Sequence, residues 1–159
     1  MLRDALRFAA GFAAGILLWW YGTPLYGRAI AATIRPFTHG QVAAVARQIE
    51  VGGASLPPTR IPFDQLTYNV VLFLALLATV RGRSAGRFAA AVAVLVASHI
   101  VFTAVDIVAT YANQLGQWSN EHFNGLEQDF WMALDFSYRL GGMFAIAFAC
   151  WFVVARPKI

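Results

Sequence analysis

Arg81-Gly82-Arg83-Ser84-Ala85-Gly86-Arg87, RGRSAGR, holds three arginines and no acid, and it joins two apolar runs, Leu66–Val80 and Phe88–Val105. A short basic loop between two segments of membrane length reads as cytoplasmic under the positive-inside rule. Arg81, Arg83 and Arg87 therefore fix the topology from which the remaining expectations are drawn.

The 159-residue chain is 59% hydrophobic and 13% charged, with a mean hydropathy of +0.59. Soluble domains run to about 45–50% apolar and about 25% charged, so a bilayer is the expected solvent. The net charge of +4 does not point to nucleic acid. No basic face or binding module accompanies it, and the arginines sit at the ends of apolar segments. Cys150 is the one cysteine, which excludes an intrachain disulfide and a Cys-rich zinc site. Its place within AFACWFVVA reads as a buried small hydrophobe.

A spanning helix needs about 20 mostly apolar residues at about 1.5 Å each. Four segments qualify, over residues 8–26, 61–80, 88–111 and 130–155. The expected fold is all-α: one transmembrane domain over residues 1–159 with four spanning helices. The first segment follows Arg3 and Arg7 in the order of a signal peptide. Its Trp19-Trp20-Tyr21 cluster suits the membrane interface, and no A-x-A site follows promptly, so retention is expected. Pro24, flanked by Gly22 and Gly27, is expected to break the helix where it leaves the bilayer. Gly11 and Gly15, four apart, offer a small-residue face for close helix packing.

With both termini and the basic loop inside, that side carries Arg3, Arg7, Arg81, Arg83, Arg87, Arg156 and Lys158 against Asp4 alone. The other side carries Arg28, Arg35, Arg47, Arg60 and Arg139 against Glu50, Asp64, Asp106, Glu121, Glu127, Asp129 and Asp135. The expected location is the cytoplasmic (inner) membrane, both termini cytoplasmic. Within the first outer loop, QVAAVARQIEV (Gln41–Val51) puts Val42, Val45 and Ile49 at i, i+3 and i+7, an amphipathic helix pattern closed by Gly52-Gly53. The prolines of ASLPPTRIP make the following stretch extended, and Asn113–Asp129 reads as a polar, acidic outer loop.

Ionisable groups inside a bilayer are costly and turn toward a bundle interior or a watery cavity. His99, Thr103, Asp106 and Thr110 fall on one helical face, and Asp135 and Arg139 are four apart and can pair. With Asn69, these define a candidate polar crevice of Asn69, His99, Asp106, Asp135 and Arg139 on the extracytoplasmic side. Two readings stand for each. His99 either hydrogen-bonds a neighbouring helix or serves as a base or a haem or pigment ligand. Asp106 is expected near the outer interface, almost solvated. Arg139 either neutralises Asp135 or holds an anionic substrate group. His39, His99 and His122 lack ligand spacing and no Gly-rich phosphate loop follows a strand, so no catalytic set, metal or cofactor is expected. Membrane lipid and another integral membrane protein are the expected partners.

LLWWYGTPLY (Leu17–Tyr26), LTYNVVLFLALLAT (Leu66–Thr79) and the basic inner loop resemble the small multi-span membrane proteins associated with exosortase systems. The resemblance covers residues 15–110. It implies an accessory role beside enzymes proposed to process the C-terminal sorting tails of exported proteins. Those enzymes are similar in carrying Cys, Arg and His in that chain order near the extracytoplasmic face. Here Cys150 follows both His99 and Arg139, so no catalytic residue carries over. The implied protein is a non-catalytic partner, with a membrane-embedded enzyme or carrier using the polar crevice as the alternative.

Overall fold

The computed structural model describes residues 2–38, 41–53, 56–80 and 84–156. Arg81 and Arg83 of the basic loop, His39 and Lys158 lie outside the described residues. Helix α1 (Leu2–Ile34) ends in a 3-10 turn, Arg35–Phe37, and leads into strands β1 (Gln41–Val45), β2 (Gln48–Gly52) and β3 (Thr59–Ile61). Helices α2 (Phe63–Leu66), α3 (Asn69–Thr79), α4 (Ala85–Asn113), α5 (Gln117–His122) and α6 (Gly125–Ser137) follow. A π-helical turn, Tyr138–Gly142, joins α6 to α7 (Met143–Ala155).

Three helical stretches are long and apolar enough to cross a membrane: Leu2–Phe37, Ala85–Asn113 and Gly125–Ala155. The stretch expected to span at 61–80 is different. Its helix covers only Phe63–Thr79, interrupted at Thr67-Tyr68. That is about 25 Å of helix, against a hydrocarbon core of about 30 Å. The Thr67 hydroxyl bonds back to the carbonyls of Phe63 and Asp64, both at 3.3 Å, which closes α2 as a separate turn. The expected outer loop at Asn113–Asp129 is also largely helical. It holds α5 and the start of α6, capped reciprocally by Asn124 and Glu127.

Gln41–Val51 is a β-hairpin, not the amphipathic helix its i, i+3, i+7 spacing suggested. Val45 pairs with Gln48 across the two-residue turn Ala46-Arg47, and Ala46 takes φ 55°. Positive φ at the first turn residue alone matches the II′ pattern, whose twist suits adjoining strands. Val42, Ile49 and Val51 are buried, while Val45 is half exposed. Folding the segment back on itself puts Val42 and Ala44 on the same face as Ile49 and Val51, and β-branched side chains favour such a half-buried pleat. β3 adds the third antiparallel strand, pairing Ile61 with Ile49 and Thr59 with Val51.

The break expected at Pro24 does not occur either: α1 continues ten residues beyond it to Ile34. Proline withholds the N–H that would bond the Trp20 carbonyl. Arg47, at the hairpin tip, supplies that bond through Nη2 at 3.1 Å. Its guanidinium carbon also lies 3.4 Å from the Trp20 ring centroid. The sheet thus replaces the donor that the helix lacks, and the end of α1 becomes the post against which the sheet packs. Ile30, Ala31 and Ile34 of α1 share a buried cluster with Val42, Ile49, Val51, Ile61, Phe63 and Leu66.

At the opposite end α1 lies against α3. A Cβ on Gly11 would fall 2.6 Å from Ala78 Cβ and 2.9 Å from Leu74 O, and one on Gly15 would fall 3.1 Å from Val71 Cα. Nothing larger than glycine fits these crossings without moving backbone, so the Gly11/Gly15 face is used within the chain. α3 also packs on α7, and α7 on α4, around Phe73, Leu77, Ala91, Leu95, Ala147, Cys150 and Val154. Cys150 is buried, its thiol 3.5 Å from Ala91 O. Arg87 at the start of α4 donates to the backbone oxygen of Arg156 after α7, placing these two arginines at one end of the bundle.

Candidate functional site

The five crevice residues form two bonded sets at different depths. The inner set centres on His99 of α4, which is 1% exposed. Its Nε2 lies 2.7 Å from Asn69 Oδ1 at the start of α3, and its Nδ1 lies 2.8 Å from Tyr26 Oη on α1. Asn69 Nδ2 in turn donates to Met143 O on α7 at 3.2 Å. That last bond orients the amide and leaves its oxygen facing the imidazole. An amide oxygen only accepts, so Nε2 carries the proton, and in a neutral ring Nδ1 accepts from the tyrosine hydroxyl. One chain of hydrogen bonds therefore runs through α1, α4, α3 and α7. Burial of these groups is tolerable because each is partnered.

The outer set centres on Arg139, in the π-helical turn. Nη2 meets Asp106 Oδ1 at 2.8 Å, Nε meets Asp135 Oδ2 at 2.8 Å, and Nη1 donates to Gln65 Oε1 at 3.2 Å. Asp106 was expected near the interface and almost solvated; it is 3% exposed. The α6–α7 junction and the α2 turn close over the outer part of α4, so this carboxylate faces protein rather than headgroups. One guanidinium thus ties α4, α6 and α2 together, each of its nitrogens donating to a different residue. Two carboxylate oxygens in this set, Asp106 Oδ2 and Asp135 Oδ1, are buried without a hydrogen-bond partner among the described residues.

Tyr138, beside Arg139 in the chain, stacks on Phe102 at 3.7 Å between centroids and donates to Leu66 O at 3.0 Å. His99, Thr103, Asp106 and Thr110 share a face as their spacing requires, and all four are buried. Tyr26 and Gln65 are participants that sequence reasoning did not single out. Tyr26 falls three residues after Thr23 and seven after Trp19, one helical face, which is the signal it offered. Gln65 gave none, since its partner is 74 positions away.

Next to the inner set lies a groove of about 360 Å³ between α1, α3 and α4. Phe73, Leu74, Val92, Leu95 and Val96 form its walls, with Tyr26 and His99 at the polar end. Leu18 and Phe88, which also line it, are 59% and 38% exposed, so its rim is open at the bundle surface. His122, apart from all this, stacks on Trp118 at 4.1 Å. Among the described residues, no three His, Cys, Asp or Glu side chains gather in a way that could hold a metal ion. Compared with protein-family models, curated proteins and solved structures, the chain matches none.

Proposed function

We propose that this chain is a non-catalytic accessory protein of a bacterial-type inner membrane that binds another integral membrane protein, in an exosortase-type system for sorting envelope proteins. The carrying observation is that the nitrogens of its two central basic side chains are used up internally. Both ring nitrogens of His99 and all three guanidinium nitrogens of Arg139 bond within the chain. Groups spent on joining helices are not free to hold a substrate or to ligate haem. The groove between α1, α3 and α4 offers instead an apolar, open-rimmed surface. In lipid, where no hydrophobic drive joins helices, close packing into such a surface is what supports association.

Both termini are cytoplasmic in this account, and Phe63–Thr79 makes a fourth, short crossing. Arg3, Arg7, Arg87 and Arg156 support that orientation, since Arg87 and Arg156 share one end of the bundle. The short helix fits a crossing whose outer part is completed by the sheet. The exosortase-type setting rests on the resemblance carried by LLWWYGTPLY, LTYNVVLFLALLAT and the basic loop.

One observation favours the enzyme or carrier alternative: the two unpartnered carboxylate oxygens beside Arg139, which could take up a proton or a cationic group. Co-purification separates the readings. The tagged chain, co-expressed with an exosortase-type enzyme, the proposed partner, and extracted in mild detergent, is expected to retain that enzyme. Val92→Trp, which fills the groove, should abolish retention while leaving the chain folded. Equal retention by V92W, or none by the unaltered chain, would count against the proposal.

A further inference from the structure

The small sheet has two edges, and they are treated differently. β3 is preceded by Pro57 and Pro58, and α4 lies against it, with Tyr111 Oη donating to Pro57 O at 2.8 Å. Such an edge cannot accept another strand. β1 lacks the prolines: Gln41–Val45 contains none and no charge, and α1 lies against it without pairing to its outward backbone groups. Because Val45 and Gln48 close a two-residue turn, the backbone groups of Gln41, Ala43 and Val45 bond to β2, and those of Val42 and Ala44 turn away from it. The Ala44 N–H and C=O have no partner among the described residues.

A groove of about 320 Å³ runs between this edge and the projecting end of α1, lined by Arg28, Ala31, Ala32, Arg35 and Val42–Ala44. Arg28 and Arg35 are exposed, and neither has an acidic partner among the described residues. Seven residues apart, they are separated by about 10 Å along the helix axis, between the about 7 Å and about 13 Å that part same-face side chains two and four residues apart in an extended chain. Arg35 Nη2 donates to Val42 O at 3.1 Å, occupying the acceptor that an added strand's N–H would take.

We propose that the β1 edge is a docking site for an extended, acidic peptide segment of another protein, added as a fourth strand. Arg35 acts as a placeholder: it leaves Val42 O to the incoming N–H and turns to a carboxylate, while Arg28 meets a second one. Edge-to-edge pairing with a second copy is disfavoured, because it would bring two such arginine pairs together without acids between them. This surface lies away from the groove between α1, α3 and α4, and it stands or falls independently of the accessory role.

Fluorescence anisotropy on the full chain in nanodiscs tests it, with a labelled eight-residue peptide alternating glutamate with valine. Three controls are its glutamine counterpart, its version N-methylated at alternate residues, and the R28Q/R35Q variant. Saturable binding is expected, with the glutamate peptide favoured over the glutamine one about tenfold, as two exposed ion pairs allow. N-methylation should abolish binding, and R28Q/R35Q should erase the preference for glutamate. No saturation up to about 1 mM, indifference to N-methylation, or a glutamate preference that survives R28Q/R35Q would each overturn the proposal. A concentration-dependent dimer that the peptide does not dissociate would overturn it too.

Discussion

Arg47 Nη2 lies 3.1 Å from the backbone oxygen of Trp20, the oxygen that Pro24 leaves without a helical donor. The hairpin tip and the helix are also bridged through Asp64 of α2. Asp64 N bonds to Arg47 O at 3.3 Å, and Trp19 Nε1 to Asp64 O at 3.3 Å. Arg47→Ala is expected to lower stability by about 1 kcal/mol, since a stacked guanidinium at an exposed site contributes about that much. Pro24→Ala restores the helical N–H and should reduce the cost of R47A. A double-mutant cycle on thermal unfolding in detergent measures the coupling, and purely additive losses would contradict the substitution of one donor for the other.

The turn that carries Arg47 holds a residue poorly suited to it. Ala46 has φ 55°, a conformation that costs a residue with a Cβ about 1 kcal/mol or more and glycine little. Ala46→Gly should raise the unfolding midpoint with no change in far-UV circular dichroism. A lower midpoint would show that the turn is of another kind.

Arg139 holds Asp106, whose side chain is 4% exposed. Truncation of one member of a buried pair strands the other charge, at a cost of about 3 kcal/mol or more. Arg139→Met should therefore destabilise strongly, and Asp106→Leu added to it should recover the share due to Asp106, while Asp135 stays without its partner. Urea unfolding of the three proteins in detergent decides the matter. Failure of the double variant to recover any of the loss would mean that Asp106 is not the charge stranded when Arg139 is removed.

The orientation is open to a direct check by reporter fusion. Alkaline phosphatase joined after Asn120, in α5, should be active, and joined after Ser84, ahead of α4, inactive. The opposite pattern would place the sheet and the Arg139 cluster in the cytoplasm.

Hydropathy is local, so the cores of α4 and α7 were legible from Phe88 and Leu140 onward, and the Asp135–Arg139 pair was legible because both residues sit on one helix. The misread elements all depended on distant partners. Val42, Val45 and Ile49 satisfy a helical spacing, but Ile49 and Val51 are buried on the α1-facing side of a sheet that Thr59–Ile61 completes. Pro24 is a helix breaker until Arg47, 27 positions after Trp20, supplies the missing bond. Asp106 looked solvated because its burial comes from the α2 turn and the π-helical turn, neither of which shows in the periodicity of α4. Tyr26 joined His99 across 73 positions, beyond the reach of any spacing rule.

The partner-binding account is tested most directly by photo-crosslinking in intact membranes. A benzophenone amino acid is placed at Val92, in the groove, or at Val153, which is 44% exposed on α7. With an exosortase-type enzyme, the proposed partner, co-expressed, Val92 should give a protein adduct of the combined mass and Val153 should not. Adducts with lipid alone at both positions would contradict the account.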